Sequence, residues 1–164
     1  MRYTKEHKEQ VRLHLLAETG GYAKKHGFGA SGVDDMAGAA GLTTGSLYKH
    51  FEDKNALFIA LIKAELDKNL SRIAGIKPSD LDAIRNSMAS YLNINHVNAA
   101  EVGCVVPALA SEISRASNEV RMTFETGIFE LKKTLENLVG SSDLAWTLIA
   151  QGVGAVVIAR AMLQ

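Results

Sequence analysis

The sequence predicts an all-α protein, and three observations carry that prediction. Apolar residues recur at three- and four-residue steps along most of the chain, the period of an amphipathic helix. No segment alternates apolar and polar residues for long enough to make a strand. Proline, which breaks helices, occurs only 2 times in 164 residues. With 47% hydrophobic and 22% charged residues, the chain can bury a substantial core.

The elements follow in order. In residues 5–26, Val11, Leu15, Leu16, Tyr22 and Ala23 lie at helical spacing. Gly20 and Gly21 interrupt that helix at about 1 kcal/mol each against Ala; they either weaken it or let another helix come close. Gly27 suits its C-terminal left-handed residue. Ser31 is expected to cap a short helix over residues 33–40, with Asp34 and Asp35 favourable in its first turn. Gly41 breaks that helix, and Thr43 caps a second over residues 44–50. After the corner at Phe51, Glu52 and Asp53, Asp53 caps a long helix over residues 54–74, closed by Gly75 and Pro78. Ser79 or Asp80 opens a helix to about Ile94, and residues 95–103 look like a polar loop. Further helices are expected over residues 105–116, with Pro107 in the first turn, over residues 118–139, and from a Ser142 cap to the end. Gln164 sits inside an apolar helical pattern without a stop signal, which suggests that the natural helix continues or that the chain is shortened.

Composition narrows the function. Eighteen Lys and Arg balance eighteen Asp and Glu, so a uniformly basic nucleic-acid binder is excluded, though a local basic face is not. One cysteine, Cys104, rules out an internally disulfide-stapled scaffold. The first residues lack an apolar signal-peptide core. The uncharged stretch over residues 144–159 is shorter than the about 20 apolar residues of a membrane span. A reduced, cytoplasmic protein with no membrane segment is the expectation.

The chemistry sits in the pair of short helices joined at Gly41. Ala37 and Ala40 keep the first helix thin where the second crosses it, and Leu42 and Leu47 fill the small core. The second helix then presents Thr43, Thr44, Gly45 and Ser46, small enough for the backbone to enter a DNA major groove. Ser31 and Thr43 lie at helix starts, where free N–H groups favour phosphate. Tyr48, Lys49, His50 and Lys54 supply further donors. Thr44, Ser46 and Lys49 are the candidates for base edges, because hydroxyls serve several bases and Lys donates to guanine. Charge adds little: residues 1–54 hold 8 Lys/Arg against 7 Asp/Glu, with four of the five histidines.

The run from Gly27 to Leu57, with its core Gly45-Ser46-Leu47-Tyr48-x-His50-Phe51-x-x-Lys54-x-x-Leu57, resembles the N-terminal domain of the TetR family of bacterial transcriptional regulators (TetR/AcrR type). The resemblance covers roughly residues 10–60, about a third of the chain. It implies that Tyr48, His50 and Lys54 contact phosphates and that positions 43–46 and Lys49 face bases. It further implies a homodimer with a C-terminal ligand-binding and dimerisation domain. The chain departs from the family at Ala23, where a large apolar residue such as Phe is usual, and at the adjacent Gly20 and Gly21.

The expected organisation is a helix-turn-helix domain over residues 1–53 and a helical effector and dimerisation domain over residues 54–164, with residues 54–74 as the connecting helix. The segment from Gly103 to Glu112 resembles one found in a large branch of the same family. The last two helices, 118–139 and 142–164, would pair with their mates in the dimer; Ala150, Gly152, Gly154, Ala155 and Ala159 suit close approach, and Val153, Val156, Val157 and Ile158 leave the last helix apolar nearly all round. Candidate residues for a cavity are Phe58, Ile62, Met88, Tyr91, Leu92, Cys104, Leu109, Met122, Phe124 and Trp146, for which ordinary core packing is the competing reading. The expected function is a ligand-responsive regulator, a repressor released from a palindromic double-stranded DNA operator by an unidentified small molecule, apolar or aromatic. It would act in the bacterial cytoplasm, at the nucleoid when on DNA. Two alternatives stand beside it: a redox or electrophile sensor acting through Cys104, and a helical protein-protein interaction module without DNA function. No Lys, Arg or His lies within seven residues of Cys104 to lower its pKa. No catalytic motif is present, and no cofactor is implied. His7 and His14, two turns apart, could bind a metal, but a solvated face explains them as well.

Overall fold

The computed structural model describes residues 5–163 as helices joined by short turns. They are α1 (Lys5–His26), α2 (Val33–Ala39), α3 (Thr44–Leu47), α4 (Lys54–Ile73), α5 (Leu81–Tyr91), α6 (Ile94–Asn98), a 3-10 turn (Ala100–Val102), α7 (Val105–Ile113), α8 (Asn118–Val139) and α9 (Ser142–Ala161). No strand occurs among the described residues.

Helix α1 keeps both glycines. A Cβ on Gly20 would lie 3.6 Å from Leu61 Cγ, and one on Gly21 3.5 Å from the Glu101 carbonyl, both ordinary contact distances. Ala23, fully buried, faces the core. Helices α1, α2 and α3 close around Leu15, Met36, Ala37 and Leu47, all fully buried. One buried cluster continues from there through Phe58, Leu61, Ile62 and Leu66 of α4 to Val105, Leu109 and Ile113 of α7 and Val120 of α8. Helix α4 packs most extensively on α8, and α8 next on α9. A Cβ on Gly127 of α8 would stand 2.5 Å from Leu66 Cδ1, so the α4–α8 crossing requires glycine there. A smaller buried cluster joins Ile73, Leu135, Leu138 and Ala145 at the far end.

Several boundaries differ from the sequence expectations. Gly32, not Ser31, occupies the N-cap of α2; Ser31 is buried and its hydroxyl donates backwards to the Gly27 carbonyl. Helix α3 ends at Leu47 and continues only as turns, because the chain must reverse into the Asp53 cap of α4, whose carboxylate accepts the Ala56 N–H at 2.7 Å. Residues 95–103, expected as loop, instead hold most of α6, which begins at Ile94, and the 3-10 turn. Asn93 caps α6 by accepting the His96 N–H at 3.1 Å, a signal legible in the sequence. Ser141 rather than Ser142 caps α9. Helix α9 spans 20 residues with a mean hydropathy of 1.5 over its most apolar window, long and apolar enough by length and composition to cross a membrane. Here it packs along α6, α7 and α8, and only 17% of that window is buried.

Candidate functional site

The α2–α3 corner is built by local forces. Gly41 adopts a φ of 67°, which only glycine takes without strain, and the Leu42 N–H then reaches the Ala37 carbonyl at 3.0 Å. Thr43 caps α3 by accepting the Ser46 N–H at 3.2 Å. The Thr44 hydroxyl donates to the Asp34 carboxylate, tying the tip to α2. Thr43, Gly45, Tyr48 and Lys49 are exposed, while Thr44, Ser46 and His50 are half-buried. These side chains lie on α3, its N-cap and the turns that follow it.

Two of the sequence candidates hold the fold as well. Ser31 is buried, as described above. Lys54 donates to the Ser31 carbonyl at 2.8 Å and the Gly29 carbonyl at 3.3 Å, with its ammonium 5.1 Å from the centre of the Phe28 ring. It therefore closes the turn between α1 and α2. The His50 Nδ1 is buried without a hydrogen-bond partner among the described residues. Burial holds the His50 pKa below its usual value, and the charges of Lys8, Arg12 and Lys49 push the same way. Lys8 and Arg12 thus bring α1 into the electropositive neighbourhood of the corner, which the motif did not reveal; Arg12 also lies over the Phe51 ring, 5.3 Å from its centre. His14 pairs with the Ala40 carbonyl at 3.3 Å. Among the described residues no group of three His, Cys, Asp or Glu could hold a metal ion.

A cavity of about 700 Å³ opens between α4, α5, α6, α8 and α9. Met88, Tyr91 and Cys104 line it. The other sequence candidates lie elsewhere. Ile62 and Leu109 are fully buried in the main core, Phe124 packs against it, and Phe58 stacks on Phe28 with ring centres 3.9 Å apart. Leu92 is exposed, Met122 borders a second, smaller depression between α4 and α8, and Trp146 meets Phe129 edge to face at 5.9 Å on the outside. Sequence reading missed Asn69, Arg72 and Ile73, which line the cavity from α4, and Ile76 just beyond the end of that helix. The spacing of Arg72 and Ile73 at three and four residues from Asn69, on one helix face, was the available signal.

The cavity wall is wired to α1. His96 accepts the Cys104 N–H through Nε2 at 2.9 Å and uses Nδ1 on the Tyr91 carbonyl at 2.6 Å, so the neutral ring is fully engaged. Burial holds its pKa low, and the charges of Arg160, Arg72 and Lys24 add to this against the Tyr91 hydrogen bond. Burial also pushes the Cys104 thiol up, although its sulfur accepts the Asn69 Nδ2 at 3.0 Å. Adjacent Gly103 admits no side chain, since a Cβ would lie 2.5 Å from His96 Cδ2. Its carbonyl accepts from Lys24 of α1 at 2.9 Å. Farther along, Glu112 of α7 accepts the Gly29 N–H at 2.7 Å.

Comparison with known proteins agrees with this architecture. Residues 16–61 match the family described as bacterial regulatory proteins, tetR family. The HTH-type transcriptional repressor NemR of Escherichia coli (strain K12) is 25% identical over 141 residues, covering 81% of this chain and 71% of the relative. A crystal structure of E. coli NemR in its reduced form superposes with a TM-score of 0.75 at 25% identity, covering 93% of this chain and 88% of that one. A TetR transcriptional regulator from Chloroflexus aurantiacus J-10-FL gives a TM-score of 0.78 at 24% identity over 94% of this chain and 86% of its own. The matched residues include the α2–α3 corner, and the likeness extends through the helices that enclose the cavity. Residues 16–61 therefore match the DNA-binding region of bacterial regulatory proteins of the tetR family, and the chain is similar over most of its length to transcriptional regulators of that family.

Proposed function

We propose that this regulator is a repressor that leaves a palindromic operator when a small molecule enters the cavity. The observation that carries the reading is the single residue step between Cys104, which lines the cavity, and Gly103, whose carbonyl holds Lys24 of α1. A ligand that displaces this wall changes the seat of α1, and α1 carries the α2–α3 corner. The effector shifts a population between two subunit shapes, so DNA must weaken effector binding by the same factor.

Thr44, Ser46 and Lys49 read base edges, while Thr43, Gly45, Tyr48 and His50 set the backbone register. Ser31 and Lys54 contribute chiefly through the 27–31 turn, whose carbonyls Lys54 already engages. Two copies associate through α8 and α9, whose outer faces expose Phe129, Trp146, Val157 and Ile158. The paired corners then meet half-sites separated by about 34–36 Å or a multiple. Residues 1–53 serve as the DNA-binding unit and residues 54–164 as the effector and dimerisation unit.

The test is a gel shift of the pure protein on its own upstream region. Sequence-specific retention lost on Thr44→Ala and Lys49→Ala supports the reading; no retention at low salt overturns it and favours a protein-protein module. A second reading, Cys104 as a redox or electrophile sensor, draws on the position of that thiol at the same junction. Its burial slows thiolate chemistry. Electrophile treatment that abolishes DNA binding equally in wild type and Cys104→Ser removes it.

A further inference from the structure

The cavity has two chemically different ends. At one end the second buried cluster supplies Ile73, Ile84, Leu135, Leu138 and Ile149. The polar lining comes from Asn69 and His96, both hydrogen-bonded to Cys104, from Tyr91 against the His96 ring, and from Arg72 and Asn95. The hydrogen bonds fix which of these groups are already in use. His96 spends both ring nitrogens on backbone groups, and Asn69 faces the Cys104 sulfur. No hydrogen bond or ion pair engages the side chains of Arg72, Asn95 or Ser87 among the described residues. Among the described residues, Arg72 is the one charged residue lining the cavity, and no Asp or Glu lines it. Its field reaches His96 and Tyr91.

We infer that the cavity takes an amphipathic anion, with an apolar body among Ile73, Ile84, Leu135 and Leu138 and an oxyanion headgroup held by the Arg72 guanidinium with Asn95 and Ser87. The inference rests on the reading of this cavity as the effector site and adds the class of effector. The physical reasons are separate for each end. An apolar tail gains by leaving water for the second cluster. A carboxylate or phosphate ester matches the planar donor fork of arginine, which an alcohol or amine does not. A cationic amphiphile would meet Arg72 without any carboxylate to offset the repulsion. A plain hydrocarbon would leave the polar end without partners for its donors. A cavity of about 700 Å³ falls within the usual range for ligand sites and accommodates a medium-length chain.

The test uses isothermal titration calorimetry on the whole protein with decanoate, decyl phosphate, decanol, decylamine and butyrate. Decanoate or decyl phosphate should bind at least tenfold more tightly than decanol, and decylamine and butyrate should show no measurable binding. Whichever of the two anions binds more tightly identifies the headgroup. Arg72→Gln, at an exposed position outside the core, should erase the preference for anion over alcohol. Ile84→Gln should weaken every chain-bearing probe about tenfold while keeping that preference. Decanol binding as tightly as the anions, a preference that survives Arg72→Gln, or no binding by either anion overturns the inference. Gel shifts with the same probes separate it from the regulatory reading. Anion-selective binding that leaves operator retention unchanged supports the headgroup assignment and defeats release by ligand. Equal release by decanol and decanoate does the reverse.

Discussion

Lys24 and Glu65 form a buried ion pair, Nζ to Oε2 at 2.8 Å, with side chains only 1% and 8% exposed. The pair joins α1 to α4, and the same ammonium donates to Gly103 beside the cavity. Burial lowers the Lys24 pKa, and the Glu65 carboxylate works against that shift. Three parts of the molecule therefore share one charged hydrogen-bond node in a dry setting.

Removing one partner should be costly, because it strands the other charge. Lys24→Ala or Glu65→Ala should each lower stability by about 3–5 kcal/mol. The double variant Lys24→Met, Glu65→Leu should recover most of that loss. Urea midpoints check both statements. The recovered double variant should also respond less to any effector, since the link to Gly103 is gone.

Acid should destabilise the fold through His96. Its folded pKa lies below the usual value, so below about pH 6.5 the unfolded chain takes up a proton that the folded one resists. The contribution is complete above that pH and is lost as pH falls toward the depressed folded value. His50 acts in the same direction. Urea midpoints should fall between pH 7.5 and 5, and His96→Gln should flatten that fall; an unchanged slope would refute the assignment.

Two glycine substitutions should have opposite signs. Gly127→Ala puts a Cβ 2.5 Å from Leu66 Cδ1 and should cost about 1–3 kcal/mol by overpacking. Gly21→Ala meets nothing closer than 3.5 Å and lies within a helix, so it should stabilise by about 0.5–1 kcal/mol. Thermal unfolding of the two variants measures the contrast.

At the DNA corner the roles should divide. Tyr48→Phe should weaken binding to all sequences alike. Lys49→Ala should cost about 1–3 kcal/mol on the preferred operator and relax preference at one position. Titrations at two salt concentrations on matched and mismatched duplexes distinguish these results.

The outer face of α9 should be an interface. Ile158, 63% exposed, and Trp146, 39% exposed, leave apolar surface uncovered in the single chain. Ile158→Asp should shift the sedimentation of the protein from dimer to monomer and weaken operator binding. A monomeric starting protein would refute this.

Much of this molecule was legible in the residues themselves. Helix positions follow from apolar spacing and from caps that act within four residues, such as Thr43 on Ser46 and Asp53 on Ala56. The α2–α3 corner was legible for the same reason, since Gly41, the small alanines and the Leu47 plug make it nearly self-contained. Ser31 misled because its hydroxyl had two local backbone targets, and only the packed turn chose the Gly27 carbonyl. The ligand candidates scattered because an apolar residue on a helix carries no mark of whether it faces a filled core or an open space. Sequence alone thus determined the helices, the corner and the family resemblance, all set by contacts between near neighbours. Tertiary structure alone decided the cavity, its Arg72 end and the Lys24–Glu65–Gly103 node, because the node joins residues 41 and 79 positions apart and the cavity draws its walls from Asn69 to Val153, and separations that long are closed only by the packing of the whole chain.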